Sequence, residues 1–217
     1  MKKTVVMLIA AGYSVLVGAD GYYIKQKNTI SGQTTEITQF ILNDQVRSED
    51  SANIMIFNGR DVTTYDKNSK TFFQQTLDQL AETGKMVDAQ FTDFVIKKTG
   101  KKSKVGQWDA DIYSATFQLM GMDTEADIYI TKHGQYPSDL IFTLPAKLYP
   151  QAKNFQNMLA QLKTAGGIQV KSVAKIKSMG VVASEIVSEV EELKKIDLDK
   201  EIFKGPEGYK QVDPPKN

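Results

Sequence analysis

The chain has no cysteine, a single histidine and a single tryptophan. Without cysteine there is no disulfide, no thiol nucleophile, no thiolate metal ligand and no residue to carry the lipid of a bacterial lipoprotein. His133, in the turn Lys132-His133-Gly134, cannot alone supply a His-based triad, which needs a neighbouring acid and a nucleophile. Nor can it build a zinc site, which takes several histidines or cysteines. It reads as an exposed turn residue. No phosphate-binding loop, nucleophile elbow or dinucleotide fingerprint occurs. The charges nearly cancel, 27 basic against 26 acidic, so no overall field draws nucleic acid or an anionic bilayer. These gaps predict a protein that is not an enzyme and uses no metal or cofactor.

Also missing is an apolar run long enough to cross a bilayer, for which about 20 residues are needed. The longest run, Thr4 to Val17, follows Lys2 and Lys3 and precedes Val17-Gly18-Ala19. A positive start, a short apolar core and small residues at −3 and −1 form the pattern of a secretory signal peptide. Residues 1–19 are expected to be removed after Ala19, leaving 20–217 as one soluble domain in the periplasm or outside the cell. Loss of Lys2 and Lys3 leaves 25 basic residues against 26 acidic ones. A chain of this size buries roughly 70% of its unfolded surface and needs no staples.

What remains is dominated by a period of two. Tyr22 to Ile30 alternates and Ser31-Gly32 turns the chain. Thr34 to Val46 reads as one long strand, Asn53 to Phe57 as a short one ended by Asn58-Gly59, a strong hairpin signal. Asp61 to Tyr65, the turn Asp66–Ser69 and Thr71 to Gln74 continue the meander. Leu77, Leu80, Ala81 and Gly84 then switch to helical spacing. Strands return at Phe91 to Lys98, Gln107 to Leu119 and Thr124 to Thr131, with Gly100 and Gly121 as turns. A further strand is predicted at Asp139 to Leu144, and a helix from Gln151 to Thr164 ending at Gly166-Gly167. Ile168 to Ser178 and Val181 to Leu193 form a closing hairpin around Gly180, and the last dozen residues read as irregular. The total is about ten or eleven strands, mainly antiparallel, curled into an incomplete barrel with two or three helices on the concave side.

Phe40-Ile41-Leu42 and Ile54-Met55-Ile56-Phe57 are apolar on both faces. A sheet wetted on one side should alternate, so both sides need a cover. One is the sheet's own curvature; the other is the helices, a ligand, or both. Phe40, Leu42, Ile54 and Ile56, with Phe155, Met158, Leu159 and Leu162 on the second helix, are the predicted lining of an apolar cavity. A dry core is the plainer alternative. Met55, Met86, Met120, Met122 and Met158 suit an adaptable surface, and equally an ordinary core.

Other constellations also carry two readings. Asp109 and Asp111 share a strand face and could act as acid and base or bind calcium. They read more simply as a solvated face continued by Asp123, Glu125 and Asp127. Met120-Gly121-Met122 resembles half of a soft copper site, and reads as turn and core. Tyr22-Tyr23 and Trp108 could stack on a sugar, although strand aromatics usually pack. Lys97, Lys98, Lys101, Lys102 and Lys104 crowd one turn, and Glu185 to Glu201 is strongly acidic. Lysines there protect an edge from pairing; an acidic or lipid-headgroup partner is the other reading.

Ile54-Met55-Ile56-Phe57-Asn58-Gly59-Arg60, then Tyr65-Asp66 and Lys70-Thr71-Phe72, resembles the hairpin of the periplasmic lipoprotein carriers LolA and LolB. Ile202-Phe203-Lys204-Gly205-Pro206-Glu207-Gly208-Tyr209-Lys210 looks like the close of uncharacterised exported proteins of that superfamily. The resemblance implies a half-barrel plugged by helices, with an apolar cavity that holds lipid or acyl chains, or a module that senses misassembled envelope proteins. It implies a gating role for an early arginine, and Arg47 lies in a comparable segment. The expectation is a non-enzymatic binding protein for a lipid or acylated ligand. The alternatives are an envelope protein-interaction or stress-sensing module and, behind it, an enzyme using the cavity.

Overall fold

The computed structural model describes residues 19–132 and 136–215. The predicted signal peptide, apart from Ala19, and His133 lie outside these residues. Six strands open the fold: β1 (Ala19–Ile30), β2 (Gln33–Leu42), β3 (Gln45–Glu49), β4 (Asn53–Phe57), β5 (Asp61–Asp66) and β6 (Thr71–Thr76). Helix α1 (Ala81–Gln90) leads to β7 (Phe91–Val105), β8 (Trp108–Leu119) and β9 (Met122–Thr131). A 3-10 turn at Leu140–Phe142, α2 (Thr143–Leu148) and α3 (Lys153–Thr164) precede the long hairpin β10 (Ile168–Ser178) and β11 (Val181–Leu198). The chain closes with a 3-10 turn at Lys200–Phe203 and the short β12 (Lys210–Gln211).

All twelve strands join one sheet in the order β12-β6-β5-β4-β3-β2-β1-β11-β10-β9-β8-β7. It is therefore two antiparallel meanders, β1–β6 and β7–β11, welded by the pairing of β1 with β11 from Ala19↔Leu198 to Ile30↔Ile186. The sheet is curved and stays open, as the sequence predicts for an incomplete barrel. β6 and β7 are consecutive strands yet lie toward opposite ends of the sheet. The segment Leu77–Gln90, with α1 in it, has to cross the gap between the two edges.

Three expectations are corrected. The long strand predicted from Thr34 to Val46 is broken into β2 and β3 by Asn43-Asp44, where Asn43 takes φ 53°; asparagine tolerates that conformation better than most residues. The strand predicted at Asp139–Leu144 is helical. Leu140, Ile141, Leu144 and Leu148 are all buried, and their spacing follows a helix, with Pro145 in the first turn of α2 where a missing N–H costs little. The turn predicted at Gly100 is a bulge within β7: the register with β8 shifts between Lys98 and Lys102, and the hairpin turns instead after Val105.

Apolar side chains gather in three clusters. Ile24, Ile41, Val46, Phe57, Val62, Trp108, Leu140, Leu144 and Leu148 belong to the first. The second unites Phe94, Tyr113, Ala126, Ile128 and Ile130 with Met158, Leu159 and Leu162 of α3, and Phe142 packs against both. The third holds Leu42, Ile54, Ile56, Tyr65, Leu198 and Phe203. Neighbouring residues such as Ile41 and Leu42, or Ile56 and Phe57, fall into different clusters because strand side chains alternate. The third cluster is thus on the face away from α2, and its cover is the C-terminal segment that the sequence reading left irregular.

Candidate binding site

The eight apolar residues expected to share one lining are divided by the sheet. Phe40, Leu42, Ile54 and Ile56 look outward, where Leu198, Ile202, Phe203 and Tyr209 cover or border them. Phe155, Met158, Leu159 and Leu162 pack on β7–β9. Phe40 also reaches an open polar groove with Thr34, Glu36, Thr38, Glu49 and Lys67, and its ring lies 5.4 Å from that of Tyr23. Arg47 serves the outer cover. Its guanidinium donates to the carbonyls of Ile202 at 2.8 Å and Lys204 at 3.2 Å, and to the Glu49 carboxylate at 2.5 Å. Gly205 lies so close to Tyr65 that a Cβ there would stand 1.8 Å from the phenol oxygen.

On the helix side a cavity of about 230 Å³ lies between α1 and the α2–α3 connection. It is lined by Leu77, Asp78, Leu80, Ala81 and Gly84 from one wall and Leu148, Tyr149, Pro150 and Gln151 from the other. Gly84 is buried, and a Cβ on it would approach the Tyr149 ring at 3.5 Å. Burial raises the Tyr149 phenol above its ordinary pKa of 10.0, as expected where the charged form loses water. The helical spacing of Leu77, Leu80, Ala81 and Gly84 was visible in the sequence. The opposite wall was not, because residues 139–144 had the look of a strand.

The two walls differ in how they are held. Asp88, near the end of α1, accepts from the Asn154 backbone N–H at 2.5 Å, and its carbonyl accepts from the Asn154 side chain at 3.0 Å. That places a carboxylate at the N-terminus of α3, where the helix dipole favours it. Gln156 donates to the Tyr149 carbonyl at 3.1 Å. Gln161 donates to the Phe94 carbonyl at 2.7 Å and accepts from the Ile96 N–H at 3.3 Å, so its amide stands in for part of a neighbouring strand on the edge of β7. The start of α1 is held differently: Thr76 and Gln79 exchange hydrogen bonds at 2.8 and 3.3 Å, and Leu80 is buried in the first cluster, while Met86 is half exposed.

Of the two carboxylates, Asp111 is charge-balanced, and Asp109 lines an open polar pocket with Gln107 and Lys132. Asp111 bonds Lys98 at 2.7 Å and is held below the ordinary carboxylate pKa chiefly by that hydrogen bond. The acidic run at Glu185–Glu201 is mostly strand β11, where Glu191 pairs with Lys25 at 3.2 Å and with Lys27. Among the described residues, no group of three or more His, Cys, Asp or Glu side chains could hold a metal ion, and no helix is long and apolar enough to cross a membrane.

These features define a class by shape: an open, curved antiparallel sheet with three helices placed between its two meanders and within the second. An uncharacterised conserved protein from Thermus thermophilus has the same fold, at 11% identity over 89% of this chain and 90% of that one, with a TM-score of 0.53. More distant likenesses include MucB in complex with MucA(peri), at 11% identity, 89% of this chain but 57% of MucB, and a TM-score of 0.40. A LolA superfamily protein from Nitrosomonas europaea matches at 7% identity over 87% and 91% of the two chains, with a TM-score of 0.32. No family model matches the sequence, and no curated protein matches it.

Proposed function

We propose that this chain is a non-enzymatic binding protein of the periplasm that takes one acyl chain into the cavity beneath α1. The observation that carries the reading is the cavity itself: about 230 Å³, with walls that are mostly apolar and also include Asp78 and Gln151, beside α1. At about 30 Å³ per group it has room for roughly eight groups of water size. Burial contributes about 0.8 kcal/mol per methylene, so a chain end of that length suffices for useful binding after the cost of association. The signal-peptide pattern of residues 1–19 and the resemblance in the hairpin of β4 and β5 support an exported carrier.

The test is uptake of a fluorescent fatty acid by delipidated protein. Saturable uptake is expected, and Gly84→Leu, which fills the cavity with a good helix former, is expected to abolish it without unfolding the chain. Absence of saturable uptake by the unaltered protein overturns the reading.

A second reading rests on β7. It is the last strand of the sheet, and among the described residues Lys97, Lys101, Lys102 and Lys104 make no ion pair while Lys98 is held by Asp111. An acidic envelope protein laid along this edge would lose affinity when Lys101→Glu and Lys102→Glu are combined, with fatty-acid uptake unchanged.

A further inference from the structure

Eight large apolar side chains are exposed among the described residues; Met86, Val95 and Val212 belong to α1, β7 and the C-terminal segment, and the other five lie together. Ile30, Met120, Met179, Val181 and Val182 are between 49% and 102% exposed, and all five belong to hairpin ends on one rim of the sheet. The register places them there. Ile30 opposes Ile186, Thr124 opposes Ile176, Ser178 opposes Val181 and Leu119 opposes Met122. The β8–β9 and β10–β11 turns are therefore neighbours at the same end, projecting beyond the β1–β2 turn. The other turns are polar: Asn43-Asp44, Asn58-Gly59-Arg60 and Gly106-Gln107 at the opposite rim, and residues 66–70 on the same rim as the apolar tips, in the first meander.

The two projecting turns also break a local rule. Each is a two-residue loop with positive φ at both positions: Met120 at 54° with Gly121 at 75°, and Met179 at 51° with Gly180 at 79°. Such a turn favours asparagine, aspartate or glycine first, since a side chain with a Cβ is disfavoured in left-handed backbone. Asn43 takes that conformation as the rule expects, whereas Ser31 at 48° and Lys70 at 54° also depart from it, with polar side chains that water accommodates. Two adjacent tips instead hold methionine, the strained residue and the one costlier to leave in water. Departures of this kind from local consistency mark functional positions.

We propose that this rim seats the protein on a zwitterionic lipid bilayer, with Met120, Met179, Val181 and Val182 entering the boundary between headgroups and acyl chains. Charge points to a neutral surface. No charged residue occurs from Ile112 to Met122 or from Ser178 to Ser184, and the Lys177 behind the tip is neutralised by Glu125 at 2.6 Å. Shape agrees: separate protruding tips match a fluid medium, which yields to each one, better than a rigid complementary wall. Insertion by about 5–10 Å is what an interfacial element reaches.

The test is flotation of the full chain with phosphatidylcholine vesicles, compared with a variant carrying Met120→Asn, Met179→Asn and Val181→Thr. Asparagine suits both turns, so this variant is expected to be at least as resistant to urea and to take up fatty acid as before. The unaltered chain should float, in low and high salt alike, and the variant should partition at least tenfold less. Failure of the unaltered chain to float overturns the proposal, as does equal flotation of the variant. Binding that requires anionic lipid and vanishes in high salt assigns the contact to lysines and overturns it too. So does concentration-dependent self-association abolished by the same substitutions, which would make the rim a protein contact.

Discussion

The two faces of the first meander are covered by different means. On the helix side, Ile41, Val46, Phe57 and Val62 meet Leu140, Leu144 and Leu148, which arrive from a long insertion between β9 and β10. On the outer side, Leu42, Ile54 and Ile56 are met by Phe203 and its neighbours from a segment with almost no regular structure. The first cover is made of repeated turns of helix, each adding a side chain to the same stripe. The second is a strap held at named points: the Arg47 clamp on two carbonyls, the fit of Gly205 over Tyr65, and the parallel pairing of Lys210–Gln211 with β6. The comparison teaches that a two-faced apolar strand announces the need for a cover without saying what supplies it.

The largest effect should come from the strap's apolar anchor. Phe203→Ala is expected to cost about 3–5 kcal/mol, as much as removing a helix residue such as Leu159. Urea denaturation followed by circular dichroism measures both, and a cost below about 1 kcal/mol for Phe203 would make the strap an accessory. Arg47→Met should cost about 2 kcal/mol, because two carbonyls and the Glu49 carboxylate lose a charged donor. Hydrogen exchange should then quicken at residues 200–211 and stay unchanged in α3; uniform quickening would mean that Arg47 supports the whole sheet.

The smallest effect compares one tyrosine under each cover. Burial raises both Tyr65 and Tyr149, with Arg47 opposing the shift at Tyr65. A folded-state pKa above the unfolded value of 10.0 means that the native state binds the proton more tightly. The associated stability is full below pH 10.0 and is lost as pH rises through the raised values. Tyr149→Phe and Tyr65→Phe should each flatten the alkaline fall of stability, by an amount each variant's denaturation series reports. A steeper fall in either variant contradicts the buried, neutral phenol.

Much of this architecture is legible in the residues. Alternation and turn dipeptides locate β1, β4, β5, β8 and β9 to within a few positions, because β side chains and tight turns are governed by local rules. Failures occur where tertiary context decides. Asn43-Asp44 lacks the glycine that marked other turns, so β2 and β3 merge. Leu140 to Leu148 carries Pro145 and lies between Pro137 and Pro150, which suggests an extended chain, while its apolar spacing is helical. The cavity wall at Leu148 and Tyr149 was lost with that segment. The eight expected lining residues fall into two clusters for another reason: period two says which residues share a face, but not which face looks at α3. The outer strap was hidden because a segment with Gly205, Pro206 and Gly208 has no period to detect.

The weld between β1 and β11 has a consequence for biogenesis. Each meander can assemble from neighbours in sequence, a rapid and local process, whereas Ala19 must wait for Leu198. During synthesis β1 pairs early with β2 and then keeps its other flank bare until nearly the whole chain has been made. Pairing across so many residues is intrinsically slow and leaves an aggregation-exposed interval. Lys25 and Lys27 sit on that waiting strand; before they meet Glu191 they discourage the wrong partner, and afterwards they help secure the right one.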